Sequence, residues 1–190
     1  MIENFLRPPG HPAEWIADAL RVAGALSVAA LFIWSTVTDA GILALALPAL
    51  LIPRFIGARP AFDIFFGVAV LVAAWSNVLD LYTTVPGWDL IVHFVCTGAI
   101  AAMTYLTLVG FNVVPSPQAA GARRRTPVVI VIAVGLAASA VWEMVEWAGK
   151  TFVTSEIFVT YDDTIGDMVA GGLGGVVAAI VVARVRLIRD

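Results

Sequence analysis

Six polar side chains in the second half of the sequence are of the types that bind divalent cations. They form three pairs, with spacings of four, three and four residues, which place each pair on one face of a helix. Carboxylate and imidazole groups are common ligands of Mg²⁺, Ca²⁺, Mn²⁺ and Zn²⁺. The sequence therefore predicts a divalent-cation site made by Asp89, His93, Glu143, Glu146, Asp163 and Asp167.

Glu143 and Glu146 have a second role in this prediction, because they lie inside an apolar run. A carboxylate in such surroundings is suited to act as a general base on a bound water, so we expect these two to be the catalytic residues of a hydrolase or transferase.

Simpler interpretations of the same residues stay open at this point. Asp89 and Asp163 are placed where a carboxylate complements the dipole at the start of a helix. Lys150 follows Glu146 by four residues and could form an ion pair with it. The whole set could also be a buried polar network that only stabilises the bundle.

The rest of the chain predicts the elements that hold these residues. Of its 190 residues, 61% are hydrophobic and 13% are charged. In water-soluble proteins about half of the residues are hydrophobic and about a quarter are charged. The sequence therefore predicts an all-α, polytopic transmembrane bundle. Cys96 is the only cysteine, which excludes an internal disulfide and a multi-cysteine metal site.

Six segments are long enough, or nearly so, to cross a bilayer. The second contains Pro48 and Pro53, and we expect it to be a kinked span. Residues 11–19 are predicted to form an amphipathic helix on the membrane surface. The chain is therefore expected to be a single domain, 1–190, with an interfacial segment at 1–19 and the transmembrane bundle at 20–186. The predicted spans are 20–38, 41–57, 62–84, 89–111, 127–149 and 164–186.

The basic residues predict the orientation. With six spans, all the arginines fall on one side of the membrane and Lys150 alone falls on the other. The positive-inside rule then places both termini in the cytoplasm and the acidic cluster, together with Asp80, near the non-cytoplasmic surface. The arginines are Arg7, Arg21, Arg54, Arg59, Arg123, Arg124, Arg125, Arg184, Arg186 and Arg189.

Glycines predict close helix packing in the last span. Gly171 and Gly175 are four residues apart, and Gly172 and Gly174 widen the same smooth face. Small residues let helix backbones approach closely in lipid, and we expect the partner to be another helix of the same bundle.

Three motifs in residues 80–180 resemble the YjdF-like family of bacterial inner-membrane proteins. They are DLIVHFVCTGAIAA, SAVWEMVEWAGK and TYDDTIGDMVAGGLGG. The resemblance implies that the polar motif positions are the six residues above with Thr164, and that the chain is a multi-pass protein of the bacterial cytoplasmic membrane. A looser similarity links the same pattern to VanZ-like proteins, which are associated with the cell envelope.

Three functions fit the sequence. The first is a metal-dependent membrane protein that acts on an envelope lipid or lipid-linked substrate. The second is a proton- or cation-coupled transporter, and the third is a non-catalytic envelope or assembly subunit. Membrane lipids are the expected partners, nucleic acid is not, and the oligomeric state is left open.

Overall fold

Long apolar helices make up most of the chain. A computed structural model describes residues 1–123, 125–155 and 157–189, so Arg124 of the predicted topology signal lies outside the described residues. Six of the described helices are long and apolar enough to cross a membrane, which confirms the all-α, polytopic fold class. The helices are α1 (Ile2–Leu6), α2 (Pro12–Trp34), α3 (Val37–Ile56), α4 (Pro60–Val78), α5 (Leu81–Thr84), α6 (Trp88–Gly110), α7 (Arg125–Phe152) and α8 (Tyr161–Arg184).

The first long helix begins eight residues earlier than predicted. Pro12 occupies its first turn, where a missing N–H costs nothing, and the His11 imidazole caps it by accepting a hydrogen bond from the Ala13 amide. No helix-breaking residue separates residues 12–19 from the apolar run that follows. The separate surface helix predicted for 11–19 is therefore the start of α2.

The proline-containing span forms one continuous helix. Thr36 and Asp39 form a capping box at its start, and Gly57, with φ 70°, ends it in the left-handed conformation. Both Pro48 and Pro53 lie inside α3. The next span is shorter than predicted, because α4 ends at Val78 rather than near residue 84.

The described chain divides into two compact units, a division that the sequence did not predict. The first unit comprises Met1–Pro86, Leu106–Val113 and the residues from Arg186 onward. The second comprises Gly87–Tyr105 and Val114–Val185. Helix α6 contributes residues to both.

Ion pairs between helices hold the first unit together. Arg21 of α2 contacts Asp63 of α4, with 2.6 Å from Nη2 to Oδ1, and Asp18, with 3.0 Å from Nη1 to Oδ1. Arg54 of α3 lies 3.5 Å from Asp18. The arginines that the sequence marked only as topology signals therefore also connect three helices.

The N- and C-terminal residues of the first unit meet at Glu14. Its Oε1 lies 2.8 Å from an Nη2 atom of both Arg7 and Arg189. Ile188 pairs with Ala58 in an antiparallel bridge, which ties the C-terminal residues to the turn after α3.

Glycine contacts hold α6, α7 and α8 together in the second unit. A Cβ added at Gly98 would lie 2.7 Å from the Gly174 carbonyl oxygen, and one added at Gly135 would lie 3.0 Å from the Gly175 Cα. One added at Gly174 would collide with the Phe94 carbonyl. The prediction that the glycine-rich face packs on helices of its own chain is confirmed.

Candidate metal site around His93

Helix α6 places a histidine and an aspartate one turn apart in the second unit. His93 is buried, with 5% of its surface exposed, and its Nε2 lies 3.4 Å from Oδ1 of Asp89. The Asp89 side chain is 30% exposed, so it is the more accessible member of the pair. The i,i+4 spacing that the sequence indicated therefore produces a direct contact.

Helix α7 brings a glutamate to the other side of the imidazole. Glu143 is 5% exposed, and its Oε1 lies 3.9 Å from Nδ1 of His93. Within the described part of the chain, neither carboxylate oxygen of Glu143 makes a well-formed hydrogen bond, although the Thr164 hydroxyl of α8 lies near enough to interact with the carboxylate. Both nitrogens of His93 thus face carboxylates, and the Glu143 carboxylate is buried without a well-formed hydrogen bond.

Glu146 lies one turn further along α7 and is half-buried. The indole of Trp142 donates a hydrogen bond from Nε1 to Glu146 Oε1, at 2.7 Å. The ion pair with Lys150 that the simpler interpretation allows is not found among the described residues, where the Lys150 ammonium donates to the Val159 carbonyl, at 2.9 Å. One simple explanation of Glu146 is thereby removed.

Helix α8 places Asp167 against the same cluster. Asp167 is 1% exposed, and its Oδ2 has no hydrogen-bond partner among the described residues. The Ser139 hydroxyl donates to the backbone carbonyl of Asp167, at 3.2 Å, which fixes this level of α8 against α7. Gly171 also lies beside Ser139: a Cβ added at Gly171 would lie 2.5 Å from the Ser139 hydroxyl oxygen.

The register of α7 and α8 explains why these residues meet. The helices run antiparallel, with Gly135 facing Gly175 and Ser139 facing Gly171. Continuing one turn along each helix places Glu143 opposite Asp167. With Asp89 and His93 of α6 and Glu146 of α7, five of the six predicted ligands lie close together.

The five residues form two groups that share the histidine. One contains Asp89, His93 and Asp167, and the other contains His93, Glu143 and Glu146. Within each group, one ligand atom from every residue lies within 4.8 Å of the others. Two ligands on opposite sides of an ion at about 2.0–2.4 Å are roughly 4–5 Å apart, so each group is close to the spacing that a bound cation requires.

Asp163, the sixth predicted ligand, belongs to neither group. It lies half-buried in the first turn of α8, where the Thr160 hydroxyl accepts a hydrogen bond from its backbone amide, at 3.3 Å. This is the helix-start position that the simpler interpretation of Asp163 describes. Asp80 is exposed in the first unit, in a left-handed turn with φ 55°.

Two neighbours of the site were not selected from the sequence. Ser139 precedes Glu143 by four residues and Trp142 precedes Glu146 by four, so helical spacing was a signal that could have found both. Ser139 is completely buried, whereas Trp142 is exposed and holds the more accessible glutamate.

Comparison with known proteins identifies a family. The model of the family described as "Predicted membrane protein (DUF2238)" matches residues 15–187. YjdF-like proteins belong to that family, so the match agrees with the resemblance seen in the three motifs. The looser similarity to VanZ-like proteins stays an expectation. No curated protein and no solved structure matches the chain significantly.

Proposed function

The chain belongs to this family of predicted membrane proteins, and we propose that its function depends on a divalent cation bound around His93. One observation carries the proposal: three carboxylate oxygens, two of Glu143 and one of Asp167, are buried without a well-formed hydrogen bond in the described structure. Burying an unpaired carboxylate costs several kcal/mol or more. A bound cation would offset that cost.

The ligand chemistry supports the same assignment. We assign Asp89, His93 and Asp167 as ligands together with Glu143 and Glu146, and Asp163 as a residue at the edge of the site. One imidazole with several carboxylates suits Mn²⁺, Fe²⁺ and Zn²⁺ better than Cu(I), which prefers sulfur ligands. Cys96, three residues after His93, is in neither group of candidate ligands.

The distribution of basic residues supports an orientation. In the second unit, Arg125 begins α7 and Arg184 ends α8, whereas the cluster lies toward the opposite ends of these helices. By the positive-inside rule, we assign both termini to the cytoplasm and the cluster to the outer half of the bacterial cytoplasmic membrane.

A metal-dependent reaction on an envelope lipid fits this placement. His93 and Asp167 lie within about three turns of the ends of their helices, close to the depth of lipid headgroups. A divalent cation there would polarise an ester or phosphoryl oxygen and make a bound water more acidic. Glu143 or Glu146 would then accept the proton as the general base.

Transport is the weaker alternative for the second unit. A transporter needs a polar path that continues past its ion site. The contacts at Gly98–Gly174 and Gly135–Gly175 instead bring helix backbones together on the inner side of the cluster. Ser139 and Thr97 lie beside these glycine contacts, and both side chains are buried.

Thermal unfolding with and without cations tests the proposal. We expect Mn²⁺ or Zn²⁺ to raise the unfolding temperature of chelator-treated wild-type protein, and His93→Ala to remove the rise. His11→Ala is the control, because that histidine is exposed and outside the second unit. A wild-type protein that is indifferent to every divalent cation would refute the proposal.

A further inference from the structure

We propose that the cluster binds two divalent cations, one on each side of His93, rather than one. This inference rests on the proposed function and extends it to a second cation position. The positions correspond to the two groups of residues already described, an Asp89–His93–Asp167 position and a His93–Glu143–Glu146 position.

Each position has its own unsatisfied buried oxygen. The first contains Asp167 Oδ2 and the second contains both carboxylate oxygens of Glu143. Asp167 is 1% exposed and Glu143 is 5% exposed, so bulk water does not compensate either of them. A single cation at one position would leave the orphaned carboxylate of the other position uncompensated.

The orientation of His93 separates the two positions. Its Nε2 faces Asp89 and its Nδ1 faces Glu143, so the groups lie on opposite edges of the ring. A neutral imidazole ligates one cation through one nitrogen and donates the N–H of the other nitrogen to a carboxylate. The second cation is therefore held by carboxylates without the imidazole, and each carboxylate can supply two oxygens.

Manganese binding to the full-length protein in detergent tests the number of positions. Chelator-treated protein is equilibrated with Mn²⁺, and the bound metal per chain is measured together with the electron paramagnetic resonance spectrum. We expect two Mn²⁺ per wild-type chain, with spectral broadening from the neighbouring ion. Asp167→Asn and Glu143→Gln should each leave one Mn²⁺ and an unbroadened spectrum, and Asp162→Asn, which removes an exposed acid of α8, should leave two.

The outcomes separate this inference from the proposed function. One Mn²⁺ per wild-type chain, with no broadening, overturns the two-cation inference and leaves the proposed function standing. Loss of all metal in both variants also overturns it, because a single shared position would then explain the data. No Mn²⁺ in the wild-type protein, and no Zn²⁺ in the same experiment, refutes both. The wild-type spectrum decides the inference even if a variant fails to fold.

Discussion

Replacing Glu143 by glutamine should leave the metal-free protein at least as stable as wild type while weakening its response to cations. Glutamine has nearly the same shape as glutamate but carries no charge. Because both Glu143 oxygens are buried without a well-formed hydrogen bond, the carboxylate destabilises the protein in the absence of a cation. Among the described residues, its only ion-pair contact is with His93, at 3.9 Å.

The expected magnitudes follow from the burial of this group. An unpaired buried carboxylate costs several kcal/mol, and the buried glutamine amide in its place still costs about 1–3 kcal/mol. Glu143→Gln should therefore raise the free energy of unfolding of the metal-free protein by between zero and about 3 kcal/mol. At about 2–4 °C per kcal/mol, the unfolding temperature would rise by up to roughly 12 °C. A cation at 100 times its dissociation constant stabilises wild type by about 2.7 kcal/mol, and the variant should lose half of this response or more.

Intrinsic tryptophan fluorescence during heating, in detergent, measures both quantities. Glu3→Gln is the matched control, because Glu3 is exposed in α1 and its replacement should change neither the unfolding temperature nor the cation response. If Glu143→Gln instead destabilises the metal-free protein by more than about 1 kcal/mol and keeps the full cation response, the cluster is a structural network and the reasoning is wrong.

Two further predictions concern packing and ion pairing. Gly174→Ala should lower the free energy of unfolding by about 1–3 kcal/mol, because its Cβ would collide with the Phe94 carbonyl. Gly41→Ala in α3 is the control, because its Cβ would meet nothing within 4 Å, and it should leave the free energy of unfolding unchanged or raise it by about 1 kcal/mol. If thermal unfolding shows the same change for Gly41→Ala and Gly174→Ala, the close helix contact is contradicted. Asp63→Asn should cost about 1.5–3 kcal/mol, because the largely buried Arg21 loses its charged partner at 2.6 Å and keeps Asp18 at 3.0 Å. In a thermal double-mutant cycle, Arg21→Met combined with Asp63→Asn should cost less than the sum of the single changes, and simple additivity would show that the pair is not coupled.

The fold class could be predicted from the sequence because a helix that crosses a bilayer needs about 20 predominantly apolar residues. The six apolar runs became six long helices, and even the run with Pro48 and Pro53 formed one of them. The start of α2 was placed too late, because hydropathy marks where a chain becomes apolar, whereas Pro12 and the His11 cap decide where the helix begins.

The candidate site could be predicted in part, since helical spacing reports which residues share a face of one helix. It correctly paired Asp89 with His93 and placed Glu143 near Glu146. The contact between Glu143 and the opposite side of His93 depends on the register between helices, which is set by the glycine contacts and by Ser139. One sequence does not encode that register in a readable pattern.

The most direct test of the central claim is the metal content of the purified protein. After equilibration with Mn²⁺ or Zn²⁺ and removal of free metal, wild-type protein should retain at least one equivalent per chain. Chelator should remove that metal, and His93→Ala should retain far less of it. A wild-type protein that retains no metal, and whose unfolding temperature is the same as that of His93→Ala under every condition, would contradict the account.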